Sequence, residues 1–270
     1  MNLNPLKRYN VKVTGTGSQP VLFAHGMGCD QRVWNYLFPS FEKNYKVIRF
    51  DFIGSGGSDI SSYDIQKHSS LRGYAEDILE ICESLNLQNI IFVGHGVSSM
   101  IGMLASISNP QLFSKLIMIA PSACLLNDRD YLGGFDKNEL EEVLAIMEEN
   151  YLGWAKLFSP RVMANPERPL LAKELEDRLC TSDPGITKKF ARVSFFSDNR
   201  SDLSLVRIST LILQSKEDIL APEFAGRYLH QNIRGSKLKI MKAKGHCPHI
   251  SEPEETITLM QEFLEDTQKS

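Results

Sequence analysis

Residues 89–100 read NIIFVGHGVSSM, and this stretch decides how the rest of the chain is interpreted. The apolar run at its start predicts a buried strand, and residues 97–105 have the pattern of a helix. A strand, a sharp turn and a helix make up a nucleophile elbow, in which a serine is presented at the turn above a parallel sheet. The chain has Gly96 where that serine is expected. The stretch therefore predicts a site for nucleophilic chemistry that lacks its reactive oxygen.

Patterns typical of buried strands and amphipathic helices alternate on either side of this stretch. Further predicted strands cover residues 20–24, 45–50, 116–120, 210–214 and 238–241. Such alternation predicts an α/β fold, with a mostly parallel central sheet flanked by helices. Between residues 123 and 198 the strand patterns give way to helical ones, interrupted by prolines such as Pro160. We therefore expect one domain, 1–270, with a core of 1–122 and 199–270 and an inserted helical lid at 123–198.

The composition argues against several classes of protein. With 270 residues, 42% of them hydrophobic, the chain can bury a sizeable core. A net charge of −3 gives no reason to expect nucleic acid or an anionic membrane as partner. No apolar run approaches the roughly 18 residues of a membrane span, and no secretory signal is expected at the start. Five scattered cysteines without a C-x-x-C pair are typical of a reduced, cytoplasmic protein.

An acid and a histidine follow the elbow in the order that α/β-hydrolases use. Asp218 and His246 each come shortly after a predicted strand, so both are expected at the sheet edge where the elbow lies. His246 would act as the base and Asp218 would orient it, with Glu217 as a weaker alternative acid. The backbone amides of Met27 and Val97 are predicted to form an oxyanion hole. No metal ion or organic cofactor is implied.

A substrate pocket is expected between the elbow and the lid. Its predicted lining combines a histidine of the elbow with apolar side chains, mostly from the lid: His95, Phe135, Phe158, Phe195, Phe196 and Ile219. Ligand pockets of this kind are concave and mostly apolar. An aromatic side chain on a lid helix is about as often packed against its neighbours.

Five motifs spread over nearly the whole chain point to one family. They are HGMG at 25–28, DFIGSGGS at 51–58, GHGVS at 94–98, NDRDYLGGF at 127–135 and GHCPH at 245–249. In these motifs the chain resembles the RsbQ family, bacterial α/β-hydrolases that are similar to the plant karrikin and strigolactone receptors. The resemblance implies an α/β-hydrolase fold, a V-shaped lid of four helices and a small apolar pocket. It also implies a serine at position 96, in a triad with Asp218 and His246.

The activity implied by this resemblance is that of a serine esterase or lactonase acting on a small apolar ester or lactone. A PAS-domain-containing phosphatase as protein partner and a role in stress signalling are implied as well. Without a hydroxyl at Gly96, His246 has nothing to deprotonate, so we expect the chain to be largely inactive. Gly96 fits a deliberate or recent inactivating substitution, which the intact acid and base favour, or a natural pseudo-enzyme. In the second case the chain is a ligand-binding regulator without turnover, acting through a protein partner.

Two other interpretations of the elbow are weaker. Gly94, Gly96 and Ser99 match the spacing G-x-G-x-x-S, which is close to a dinucleotide-binding fingerprint. That fingerprint belongs on the first strand of its unit and needs an acidic residue about 20 positions on. Here other strands come first, and the next strand ends without a carboxylate. Ser98 and Ser99 lie in the predicted helix, so neither is expected to replace the missing serine.

Overall fold

A seven-stranded sheet forms the centre of the computed structural model, which describes residues 4–266. The strands lie in the order β1-β3-β2-β4-β5-β6-β7. Only β1 is antiparallel to its neighbour, and the other pairs are parallel. The predicted mostly parallel sheet is therefore confirmed. The strands are β1 (Lys12–Thr14), β2 (Pro20–Ala24), β3 (Lys46–Arg49), β4 (Ile90–His95), β5 (Phe113–Ile119), β6 (Ser209–Glu217) and β7 (Lys237–Lys244).

Helices flank the sheet and connect its strands, as parallel pairing requires. In the described part of the chain these are α1 (Pro5–Arg8), α2 (Leu71–Ser84), α3 (Val97–Ser108), α4 (Lys137–Glu149), α5 (Tyr151–Met163), α6 (Pro169–Thr181), α7 (Pro184–Phe195), α8 (Glu223–Asn232), α9 (Pro248–Ser251) and α10 (Pro253–Asp266). Short 3-10 helices cover Gln31–Trp34, Phe38–Ser40, Ile60–Ser62, Lys67–Ser69, Pro110–Leu112 and Arg200–Leu205. Within residues 4–266, no helix is both long enough and apolar enough to cross a membrane.

The sheet is buried on both faces, which explains why its central strands are continuous apolar runs. Successive side chains of a strand point to opposite faces. In β2, Val21 and Phe23 join one hydrophobic cluster, while Leu22 and Ala24 join the other. All four side chains are fully buried. The alternation of β2 between two cores fixes its register, because a slip of one residue would exchange the two sets.

Four helices, α4 to α7, form an insertion between β5 and β6, and all of them lie within the predicted range 123–198. The chain enters and leaves this insertion at one place, because Cys124 forms an antiparallel bridge with Asp198. Beside that bridge, the Asn199 amide donates to the Ala123 carbonyl at 2.8 Å. The expectation that Pro160 separates two helices is wrong, since α5 continues through it to Met163.

The second half of the insertion rests on the core near the carboxyl ends of the strands. The rings of Tyr74 on α2 and Phe190 on α7 stack with centroids 4.3 Å apart. Just before α7, the Asp183 amide donates to the Gly54 carbonyl at 2.9 Å. Gly54 has a φ of +91°, and a Cβ there would overlap Ile186 of α7. A glycine at this position therefore permits the close approach of insertion and core.

Candidate active site

The predicted strand, turn and helix are present around Gly96. Strand β4 ends at His95 and α3 begins at Val97, so Gly96 alone forms the turn, with φ +56° and ψ −123°. Its amide donates to the Ile119 carbonyl at 2.9 Å, which ties the turn to the end of β5. A residue with a Cβ is strained at a positive φ, whereas glycine is not. The elbow therefore has the geometry of a nucleophile turn, with no side chain at its tip.

Asp218 and His246 form an acid–base pair beside this turn. Oδ2 of Asp218 lies 2.8 Å from Nδ1 of His246. The other carboxylate oxygen, Oδ1, accepts from the amides of Leu220 at 2.8 Å and Ala221 at 3.1 Å. Because an ionised carboxylate only accepts hydrogen bonds, Nδ1 is the donor in the neutral form of His246, and Nε2 has the lone pair in that form. The pair thus presents a base whose tautomer is fixed by Asp218.

That base faces the elbow. A Cβ built on Gly96 would lie 3.0 Å from Nε2 of His246 and 3.6 Å from Cε1. No other atom of the described residues lies within 4 Å of that position, apart from Gly96 and its chain neighbours. His246 is therefore placed to act on whatever stands at the tip of the turn.

Two backbone amides complete the arrangement. Met27 lies in the loop after β2, and Val97 is the first residue of α3, whose amide has no acceptor within its own helix. Both residues line the same cavity as Gly96. The Ser98 hydroxyl donates to the carbonyl of His25, which holds the Met27 loop against α3. The two amides can serve as donors to an oxygen atom that becomes negatively charged.

The three other histidines near the site are buried and have structural contacts. His95 lies 2.8 Å through Nε2 from the carbonyl of His246, so Nε2 must be the donor. Nε2 of His25 accepts from the Phe52 amide at 3.1 Å. Burial lowers the pKa of His25, lowers that of His95 well below its usual value, and lowers that of His249 to about 3. These imidazoles are therefore neutral, and His246 is the one that faces the elbow.

A cavity of about 80 Å³ opens above the elbow, between the core and the insertion. This is well below the ~300 Å³ at the lower end of typical ligand pockets, so it suits a small molecule. Besides the elbow and base, its walls are mostly apolar. They include Met27, Met100, Leu125, Val162, Leu175, Leu179, Leu220 and three cysteines, Cys29, Cys124 and Cys247.

Half of the residues predicted to line the pocket do so. His95, Phe158 and Phe195 are part of the cavity wall. The other three, Phe135, Phe196 and Ile219, are not part of the cavity wall, so this part of the prediction is wrong.

Each of these three residues lies at a different place outside the cavity. Phe135 precedes α4, where its amide donates to the Leu125 carbonyl at 3.1 Å. Phe196 caps the end of α7 and lines a separate groove between α7 and α2. Ile219 follows Asp218, and 47% of its surface is exposed.

The other interpretations of the sequence, which are a different serine, a different acid and a dinucleotide-binding site, do not fit the structure. The Ser98 hydroxyl is engaged with the His25 carbonyl, and the Ser99 hydroxyl donates to the Gly94 carbonyl at 2.9 Å. Glu217 is exposed and lies 3.6 Å from Lys244, so Asp218 is the acid at the site. Strand β4 is central and not the first strand of the sheet, as a dinucleotide-binding fingerprint would require. Within residues 4–266, no group of three or more side chains could hold a metal ion.

Comparisons with known proteins agree with this architecture. The family model described as alpha/beta hydrolase fold matches residues 19–253. A strigolactone esterase of Arabidopsis thaliana is 37% identical over 262 residues, covering 97% of this chain and 98% of that protein. A karrikin insensitive 2 receptor of Petunia hybrida is 38% identical over 253 residues, covering 93% and 94%.

A solved structure is similar over nearly its full length. It is a hydrolase from Oleispira antarctica, with a TM-score of 0.94 and 42% identity, covering 97% of this chain and 96% of that one. Sheet order, elbow and sequence similarity lead to the same conclusion. The chain belongs to the alpha/beta hydrolase fold family.

Proposed function

We propose that this chain binds small, largely apolar esters or lactones in the cavity above Gly96 and hydrolyses them very slowly. One observation carries the proposal: a base with its acid, and the residues of the two proposed amide donors, border an apolar cavity whose turn has no nucleophilic side chain. Two of the relatives are named as a strigolactone esterase and a karrikin insensitive 2 receptor, and these names support the same class of ligand. The triad of the RsbQ resemblance would be restored by a serine at position 96.

The four-helix insertion is proposed to act as the lid of this cavity. Its residues Phe158, Leu175, Leu179 and Phe195 form one side of the wall. Contact of these side chains with a ligand would couple binding to the position of the insertion. The domain boundaries proposed from the sequence, 1–122 with 199–270 for the core and 123–198 for the lid, fit this role.

Binding can be tested with a panel of small lactones and aryl esters, using thermal shift and calorimetry. A ligand present at 100 times its Kd should stabilise the fold by about 2.7 kcal/mol. Ser194→Trp would fill the cavity that Ser194 lines, and it should remove the shift. Ser201→Trp is the matched control, because Ser201 is exposed outside the cavity. A panel without any thermal shift or heat of binding would refute the proposed ligand class.

A second candidate function is a regulator that binds its ligand without turnover and acts through a protein partner. The observation that favours it is the missing side chain at Gly96 in an otherwise complete site. The resemblance to RsbQ suggests a PAS-domain-containing phosphatase as partner, in stress signalling. The test is the affinity of such a purified phosphatase for this chain with and without a bound lactone. Equal or undetectable affinity in both conditions would refute this role.

A further inference from the structure

We propose that water is the nucleophile of this chain, activated by His246 at the place where a serine hydroxyl would otherwise act. The proposal rests on the proposed function, because it needs an ester or lactone in the cavity. It adds a route of hydrolysis that forms no covalent intermediate with the protein.

The first argument is the space beside the base. The Cβ position of Gly96 lies 3.0 Å from Nε2 of His246, with no other described atom within 4 Å beyond its chain neighbours. A serine would fill this space with its CH₂–OH group, whereas glycine leaves it as part of the cavity. One water needs about 10–15 Å³ of such space, and the cavity encloses about 80 Å³. A water molecule can therefore reach hydrogen-bond distance from Nε2.

The second argument is that the protein offers no hydroxyl in place of serine. Within residues 4–266, no side-chain oxygen forms a hydrogen bond with Nε2 of His246. The hydroxyls of Ser98 and Ser99 are buried and donate to backbone carbonyls behind the elbow. Three serines line the cavity, and none of their hydroxyls forms a hydrogen bond with the His246 ring among the described residues. Ser122 donates to the Cys124 carbonyl at 2.9 Å, and Ser197 donates to the Ser194 carbonyl at 2.9 Å. A hydroxyl becomes a good nucleophile only when a base lies beside it, and none of these hydroxyls has a base beside it.

The thiols of the cavity are also unsuitable. Burial raises the pKa of Cys29 to about 12, raises that of Cys247 well above its usual value, and raises that of Cys124. The thiolate is the reactive form, and a raised pKa keeps a thiol protonated. With hydroxyls and thiols excluded, solvent is the remaining nucleophile within reach of His246.

The chemical step balances without any further reagent. The oxygen of water forms a bond to the carbonyl carbon while its proton moves to Nε2 of His246. The electron pair of the carbonyl bond moves to oxygen, where the amides of Met27 and Val97 stabilise the negative charge. When that pair returns, the bond to the leaving oxygen breaks, and this oxygen takes the proton back from Nε2. The products are a carboxylic acid and an alcohol, phenol or enol.

This route favours one class of substrate. Water is a weaker nucleophile than an activated serine, so the tetrahedral intermediate must collapse forward efficiently. A phenolate or enolate leaves more easily than a simple alkoxide, because it is the weaker base. We therefore expect aryl esters, enol esters and enol lactones to be hydrolysed, and alkyl esters to be bound without turnover.

Two pairs of variants test the proposal with p-nitrophenyl acetate. His246→Gln removes the base and should lower kcat by about 100-fold or more, with KM nearly unchanged. His230→Gln is its control, an exposed histidine on α8 that should leave kcat unchanged. Gly96→Ala places a methyl group 3.0 Å from Nε2, which excludes the water, and should lower kcat at least tenfold. Gly235→Ala is its control, since Gly235 has a φ of +72° and no atom within 4 Å of a Cβ.

The time course and the protein mass add an independent measurement. The unmodified chain should release p-nitrophenol linearly from the first turnover, and no acylated protein should be found by mass spectrometry. A burst or an acyl adduct would overturn the proposal, as would equal kcat for the unmodified chain and His246→Gln. Ligand binding measured on the same variants separates the two hypotheses. Binding with hydrolysis independent of His246 refutes the water mechanism alone, whereas loss of binding throughout refutes the proposed function.

Discussion

The Nε2–H of His95 donates to the backbone carbonyl of His246 at 2.8 Å, which joins the last residue of β4 to the loop that holds the base. The amide of His246 in turn donates to the Val162 carbonyl at 2.8 Å, and the Gly245 amide donates to Glu217 at 2.7 Å. Three elements therefore fix the backbone of the base. None of these bonds involves residue 96, so the backbone of His246 keeps its place whichever residue occupies the turn.

Replacing His95 should loosen this connection. His95→Phe leaves the buried carbonyl of His246 without its donor, which should cost about 1–3 kcal/mol of unfolding free energy. Urea unfolding measures the loss. In a Gly96→Ser background the variant should also lower kcat at least tenfold, because the base is then less well positioned. Unchanged stability and unchanged kcat would show that the bond has no role in placing His246.

Gly96→Ser should restore covalent catalysis. His246 and Asp218 lie beside the turn together with the proposed oxyanion donors, so burst release of p-nitrophenol and an acylated protein are the expected results. The imidazole of His246 must yield by a few tenths of an ångström, because the Cβ would lie 3.0 Å from Nε2. An inert but folded Gly96→Ser protein that still binds ligand would contradict the assignment of the catalytic residues.

The same substitution should destabilise the fold. A residue with a Cβ at φ +56° and ψ −123° costs about 1–3 kcal/mol in backbone strain. Gly235→Ser is the matched control for this strain, since Gly235 also has a positive φ but open space around it. The difference in unfolding free energy between the two variants reports the contact with His246. A Gly96→Ser protein as stable as the unmodified chain would contradict the strain argument.

Stability should fall in mild acid because of the buried histidines. Burial lowers the pKa of His249 to about 3, and both of its ring nitrogens lack a partner among the described residues. Below the ordinary value of 6.5, the unfolded chain takes up a proton that the folded chain does not. Unfolding is therefore favoured as the pH falls, by about 1.4 kcal/mol per pH unit for this group, until the pH reaches about 3.

His249→Phe tests this prediction. The substitution loses no hydrogen bond to any residue in the range 4–266 and removes the titrating group. Relative to the unmodified chain, its unfolding free energy should improve by about 1.4 kcal/mol for each pH unit below 6.5. Any change in packing alters the unfolding free energy by the same amount at every pH, and a measurement at pH 7.5 gives that amount. If the difference in unfolding free energy between the variant and the unmodified chain is the same at pH 7.5 and at pH 5, the assignment of a neutral, buried imidazole is refuted.

Gly54→Ala should weaken the docking of the insertion. The methyl group would be strained at φ +91° and would overlap Ile186 of α7, so we expect a loss of about 2–4 kcal/mol. Ile186→Ala removes the shortest of these contacts, with Cγ2, and leaves the one with Cβ at 2.7 Å. The double variant should therefore be more stable than the sum of the two single effects. Gly185→Ala is a control on α7, the helix that carries Ile186. Gly185 has no positive φ, and a Cβ there would have no contact shorter than 3.4 Å. Strictly additive effects would contradict a contact between the two positions.

The central sheet and the acid–base pair could be predicted because each depends on the order of residues and strands along the chain. Asp218 and His246 follow strands, and the carboxyl ends of parallel strands meet at one edge of a sheet. The cavity wall was harder to predict, because helical periodicity does not show which helix faces which. Phe196 is adjacent to Phe195 in the sequence, yet the end of α7 turns it into a separate groove. Leu175 and Leu179 lie one turn apart on α6 and reach the cavity, and only their spacing could have indicated a shared face.

The bridge between Cys124 and Asp198 has a consequence for how such a molecule can change. A segment that starts and finishes at one point can be lengthened, reshaped or exchanged without moving the strands on either side. Gly96, Asp218 and His246 follow β4, β6 and β7, outside that segment. Much of the surface that selects the bound molecule stands inside it. The residues proposed to select the ligand and those proposed to act on it therefore lie largely in different stretches of the chain, and a transplanted insertion could bring a new ligand to an unaltered His246.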